Sequence, residues 1–306
     1  MVGDSALERG VTPIELAAMR PPRSEWRQAA ARFASNRMAT VGIAFLFVVA
    51  LVAILAPLVA RHDPNEQDLL ARLKPPTAQH WFGTDELGRD VFARTVYGAR
   101  YSLFIGIAGS MGGLLVGVSI GLLSGFFGGW VDQLTMRLID IMLSFPGVLM
   151  AILIVSVLGP GLINIIVALT IWFTPTIARI MRGTVLVLKQ QDFVEAARSS
   201  GAGNLRLMVR HLLPNALSPI IVYGTLSVAT AILVAAGLSF LGLGVQPPTP
   251  EWGAMIGASR QYIREAPNAT FFPGLAIFLT VLSLNFIGDA LRDALDPRLN
   301  VWTASS

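Results

Sequence analysis

The chain has 306 residues, 54% of them hydrophobic and 14% charged, with a mean hydropathy of +0.63. A soluble domain of that length needs far more charge to cover its surface, and several apolar runs reach the roughly 20 residues that cross a bilayer, so the composition points to an all-α, polytopic membrane protein. The formal charge of +4 does not mark a nucleic-acid binder, because the basic residues stand at the ends of apolar runs, and the lack of Cys excludes disulfides, iron–sulfur centres and thiolate zinc sites.

Residues 1–37 are polar and carry six arginines. The segment is too long and too mixed in charge for a secretory signal, and reads as a cytoplasmic arm. Residues 24–36 suit an amphipathic surface helix anchored by Trp26 and Phe33; the first twenty residues suit disorder equally well. Residues 38–60 form the first expected span, and residues 61–100 an extracytoplasmic loop. Asp85, Glu86 and Asp90 in that loop are residue types that hard cations take. Asp85 or Asp90 as a helix cap, paired with Arg89 or Arg94, accounts for them without an ion, so no metal ligand is assigned.

Residues 101–126 form the second span. Gly109, Gly113, Gly117, Gly121 and Gly125 recur in steps of four, which places them along one slowly winding helix face. Such a face lets a neighbouring helix approach closely, and it predicts a helix at the bundle centre. Gly128-Gly129 is a turn. Asp132 can cap a third span ending near Leu158, with Pro146 kinking it and Arg137 and Asp140 spaced to pair. The fourth span runs from Leu162 to about Ile180, with Pro175 inside and Arg179, Arg182 and Lys189 at its exit. The fifth covers residues 220–243. The sixth has its core at 272–287, with Asn285 as its polar member, and residues 291–306 form a tail.

Residues 191–219 are the longest polar stretch between two apolar runs in the second half. Asp192 and Glu195 fit a capping box, and Gly201 sits where a C′ glycine stops a helix after about two turns. Leu205, Met208 and Val209 then fall on one face of a second helix that Pro214 ends or kinks. On local physics alone this is a capped helix, a glycine elbow and a second helix, and an ordinary connecting loop satisfies the same pattern.

Glu195-Ala196-Ala197, Gly201 and Leu213-Pro214 resemble the EAA loop of ABC-importer membrane subunits. The run from Arg210 to Asn215, with His211, resembles the dipeptide and oligopeptide (peptide/nickel) branch, C-type subunit. Residues 81–92, reading WFGTDELGRDVF, residues 240–253 and residues 288–298 extend the resemblance over most of the chain. The resemblance implies a type I importer permease fold with a five-span core over 101–290 and coupling residues at 190–214. It also implies that Glu195, Ala196, Ala197, Gly201, Leu213 and Pro214 meet an ATPase. The implied partners are a homologous second permease subunit, two ATPase subunits or domains, and an extracytoplasmic solute-binding protein. Pro247, Pro248, Glu251 and Trp252 are then candidates for the binding-protein contact.

Six spans put both termini on one side. With the termini inside, fifteen of the 23 basic residues are cytoplasmic and eight external, the positive-inside arrangement in a cell inner membrane. A P-loop needs Gly-Lys-Ser/Thr after a glycine run. Lys74 and Lys189 are the only lysines, and each follows a leucine, so ATP and Mg²⁺ are expected on partner subunits and no cofactor on this chain. The expected function is passage of di- or oligopeptides, with nickel or another small ligand as the alternative cargo. A secondary transporter or channel is the alternative of a different class, but it favours charges at mid-membrane, where these spans are apolar. Ser227, Thr230 and Asn285 are candidates to line the passage; the competing reading is that the hydroxyls bond back to helix carbonyls.

Overall fold

A computed structural model describes residues 25–295. Most of the expected arm (residues 1–24) and the tail beyond residue 295 lie outside them. Among the described residues the structure is helical, with one isolated β-bridge between Thr84 and Asp90. Helix α1 is Glu25–Ser35, and it packs along the last long helix. The first span is α2, Arg37–Ile54, and Asn36 caps it: Oδ1 accepts from the Met38 and Ala39 amides at 3.0 and 3.1 Å. A break at Leu55 leads to the short α3, Ala56–Val59, with a proline in its first turn.

The loop that follows is shorter than its sequence suggests. Helix α4 runs Val91–Phe127, so residues 91–100 are helical rather than loop. Asp90 is its cap, accepting from the Ala93 amide at 2.6 Å. The basic residues that imitated a loop find acceptors inside the fold, although Arg94 Nε itself is buried without a hydrogen-bond partner. Arg94 is buried and donates to the Pro64 carbonyl at 2.7 Å. Arg100 donates to the Ala53 and Ile54 carbonyls at 2.5 and 2.9 Å, two acceptors that the end of α2 leaves without helical partners. The carboxylates pair as a structural network: Asp85 with Arg89 at 2.7 Å and Arg94 at 3.5 Å, and Glu86 with Arg89 at 2.9 Å.

The expected third span is two helices. α5 (Gly129–Ser144) and α6 (Gly147–Leu158) meet at 92° across Phe145-Pro146. Pro146 lacks the N–H that would continue the ladder, and it stands as the cap residue of α6. Asp132 does not cap α5, which begins behind Gly128. Its carboxylate instead holds Arg182 in a two-pronged bond, 2.5 Å at each oxygen, and accepts from Ser124 Oγ. Asp140 meets Arg179 and not Arg137.

Arg179 and Arg182 belong to α7, Leu162–Leu188, which continues past the expected end at residue 180. α8 is Asp192–Ser199, α9 runs from Asn204 to Phe240, α10 is Trp252–Ser259 and α11 is Pro267–Leu295. Among the described residues, five helices are long and apolar enough to cross a membrane, and the bent α5–α6 pair makes a sixth if counted as one span. The main core gathers side chains of α4, α7 and α9, with Leu169, Ile177, Met181 and Leu212 among its fully buried members. A second core joins α4, α9, α10 and α11 around Trp252. Outward-facing Phe47, Leu58, Leu115 and Leu153 are more than half exposed, which suits side chains whose solvent is lipid.

Candidate functional site

The glycine face of α4 determines how the bundle closes. A methyl group built on Gly109, Gly113, Gly117, Gly121 or Gly125 lies 2.6–2.9 Å from Cβ of Leu169, Phe173, Ile177, Met181 or Val185, in that order. The partner residues on α7 also advance in steps of four, so two matched ridges interdigitate. The neighbour left open by the sequence is therefore α7 of the same chain, and no helix contact in the structure is more extensive.

The segment between α7 and α9 takes its shape from its ends. Lys189 closes α7 by donating to the Phe126 carbonyl at 2.6 Å, which ties the exit of α7 to the end of α4. α8 begins one residue earlier than a capping box requires. Gln191 is the cap residue with no side-chain cap bond, and Asp192 and Glu195 lie in the first turn, where carboxylates favour the helix dipole. The C-terminal stop is the expected one. Gly201 has φ +83° and donates to the Arg198 carbonyl at 2.9 Å, while Ala202 donates to the Ala197 carbonyl at 3.1 Å. This pair of bonds is a Schellman motif, and Ala197 and Ala202 both pack on the main core.

The second helix departs from its expected face. Residues 207–212 form a π-helical turn in which the Leu213 amide donates to Met208 O. The wider turn precedes Pro214 and absorbs its missing N–H, so the chain runs without a stop from Asn204 into the fifth span. The shift also changes the buried set to Leu207, Met208 and Leu212, leaving Leu205 71% and Val209 52% exposed. On α8, Val194 points into the core, while Phe193, Glu195 and Ala196 are exposed. Phe193, Leu205 and Val209 are exposed at the joint between two spans, as are Asp192, Glu195, Arg198, Arg206 and Arg210. The sequence pattern put Leu205, Met208 and Val209 on one face; of these the structure buries only Met208, together with Leu207 and Leu212.

The other candidate positions divide. Ser227 is buried and donates to the Tyr223 carbonyl at 2.7 Å, so it bonds back to its own helix and does not face open space in this chain. Thr230 bonds back to Leu226 O at 3.1 Å but is exposed, and Asn285 is half-buried on α11. Pro247 and Pro248 are exposed. Glu251 and Trp252 are each 1% exposed, which removes them from any contact surface of this chain. Glu251 caps α10, accepting from Gly253 and Ala254 amides at 2.9 Å, and accepts from Ser102 Oγ at 3.1 Å. Trp252 Nε1 donates to Thr95 O at 2.9 Å. Trp252→Ala is expected to destabilise the chain by about 3–5 kcal/mol, read as a lower melting temperature in detergent. A residue at a docking surface would instead lose partner affinity at an unchanged melting temperature.

The described residues form a polytopic helical bundle with an exposed two-helix joint between two of its long helices. Residues 117–301 match the family described as the binding-protein-dependent transport system inner membrane component, and residues 24–76 match the N-terminal TM domain of oligopeptide transport permease C. The chain belongs to the family of binding-protein-dependent transport system inner membrane components. It is 48% identical over 276 residues to the dipeptide transport system permease protein DppC of Alkalihalophilus pseudofirmus, covering 90% of this chain and 91% of that one. It is 47% identical over 278 residues to the glutathione transport system permease protein GsiD of Escherichia coli O1:K1, covering 90% and 92%. In fold it resembles an inward-facing form of the MetNI methionine ABC transporter, with TM-score 0.55 at 22% identity over 67% of this chain and 97% of the other.

Proposed function

We propose that this chain passes di- or oligopeptides from an extracytoplasmic solute-binding protein across the inner membrane, with ATP and Mg²⁺ handled by partner ATPase subunits or domains. The observation that carries the reading is the exposed joint at Phe193, Glu195, Leu205 and Val209. It is continuous with α9 and anchored to the ends of α4 and α7, so a force applied there moves three long helices. The names of the relatives, a dipeptide and a glutathione permease, support a peptide as cargo. A homologous second permease completes the passage, with Thr230 and Asn285 of this chain as its proposed lining. The termini are cytoplasmic, on the fifteen-to-eight distribution of basic residues, and this places the joint on the side where ATP is.

Proteoliposomes holding the assembled complex, its binding protein and internal ATP test this directly. Labelled di- and tripeptides are expected to accumulate only with both present. Accumulation without ATP would indicate a secondary transporter, and accumulation of Ni²⁺ with no peptide would change the cargo class.

A further inference from the structure

The chain holds three histidines, and the fold brings two of them to one carboxylate. His80 Nδ1 lies 2.8 Å and His62 Nδ1 3.6 Å from Asp90 Oδ2, with the two imidazole centroids 4.9 Å apart. The three ligand atoms fall within 4.8 Å of one another. Hydrogen bonding explains half of this arrangement, because 2.8 Å suits a bond from His80. It does not explain why a second ring nitrogen points at the same oxygen from 3.6 Å, beyond bonding range. Ligands at about 2.0–2.1 Å from a tetrahedral metal stand about 3.3–3.4 Å apart, between the two observed separations.

From this convergence we propose that His62, His80 and Asp90 bind one divalent ion of the zinc class. Two imidazoles and one carboxylate form a three-ligand set that leaves a fourth position for water. Asp90 is 4% exposed, and its other oxygen, Oδ1, is fixed by the Ala93 amide, so Oδ2 is held in place for a ligand. The group faces a cavity of about 160 Å³ that Asp63, Glu66 and Asp68 also line, and these acids lower the cost of bringing in a dication. Of the three carboxylates weighed in the sequence and assigned no metal, Asp90 joins the set, while Asp85 and Glu86 do not, because Arg89 neutralises both. The site joins the end of the first span, the loop at His80 and the cap of α4. It acts as a clasp on that side of the bundle, and takes no part in ATP chemistry.

The test uses the full-length chain, purified on a tag without histidine, stripped with chelator and held in nanodiscs. Calorimetric titration with Zn²⁺ is expected to give one ion per chain, and Co²⁺ a tetrahedral visible spectrum. His62→Ala and His80→Ala are each expected to weaken Zn²⁺ binding by about 10–100-fold. His211→Ala is expected to bind as wild type does. His62 carries the test best, since its side chain is 35% exposed and its loss leaves the Asp90 cap in place. Zn²⁺ is also expected to raise the melting temperature of wild type and not of His62→Ala. No saturable binding to wild type, or equal binding by wild type and the doubly substituted His62→Ala, His80→Ala chain, overturns the proposal.

Discussion

Gly117→Leu is expected to leave membrane insertion intact and abolish both assembly and uptake. A Cβ at Gly117 lies 2.7 Å from Ile177 Cβ and 2.8 Å from the Thr174 carbonyl oxygen. Both are closer than real Cβ contacts, and the second is backbone, which no rotamer change can move aside. The leucine adds three more carbons beyond that point. Ile177 is 1% exposed and has no free space to retreat into. Overpacking a well-filled core costs about 1–3 kcal/mol when side chains can adjust, and here α4 must lift away from α7 along a five-glycine seam. Insertion depends on the hydropathy of the span, which leucine raises. Gly183→Ala, on α7, is the matched control: a Cβ there meets nothing within 4 Å, and alanine favours a helix over glycine by about 1 kcal/mol. Co-purification with the partner subunits and a melting curve read both variants. Normal assembly and uptake in Gly117→Leu would place the glycine face against lipid and disprove the seam.

That seam was legible in the sequence because its cause is local and periodic. One residue type repeats at one helical interval, and the only question left open was which neighbour it meets. The Gly201 stop was legible for a similar reason, since a left-handed C′ residue is a local demand. Features that depend on tertiary partners were not. Arg94 and Arg100 read as loop residues because their acceptors, carbonyls at Pro64, Ala53 and Ile54, come from distant segments. Leu205, Met208 and Val209 read as one helix face, and the 3.6-residue period behind that reading fails across the π turn at residues 207–212. Glu251 and Trp252 carry the composition of an exposed contact, and the packing of α10 on α9, α11 and α4 buries them. The His62–His80–Asp90 group has no spacing signal at all: the residues are 18 and 10 positions apart in an irregular loop.

Gly201→Leu is expected to separate ATP hydrolysis from transport in a complex that still assembles. Unlike Gly117, Gly201 is exposed, and a Cβ built on it meets nothing within 4 Å, so the substitution causes no clash. Its whole cost is conformational. Holding an L-residue at φ +83° costs roughly 1–2 kcal/mol, against a motif closed by two hydrogen bonds, from Gly201 to Arg198 and from Ala202 to Ala197. An energy of that size changes a local equilibrium by about 5–30-fold, enough to let α8 run on or fray in most molecules. The spans would be untouched, because Val194 and Leu207 remain buried on either side of the elbow. What is lost is the fixed angle between α8 and α9, and with it the rigid connection from the exposed Glu195 surface to the fifth span. Gly201→Asn should retain most of the uptake, since Asn tolerates the left-handed region, while Gly201→Leu should lose about tenfold or more. Glu195→Lys, which reverses an exposed charge in the first turn of α8 without altering the elbow, should instead weaken co-purification with the ATPase. The readouts are peptide uptake, ATP hydrolysis and subunit recovery from the same membranes. Equal uptake in the leucine, asparagine and wild-type complexes at equal recovery would show that the angle at Gly201 does not carry the stroke.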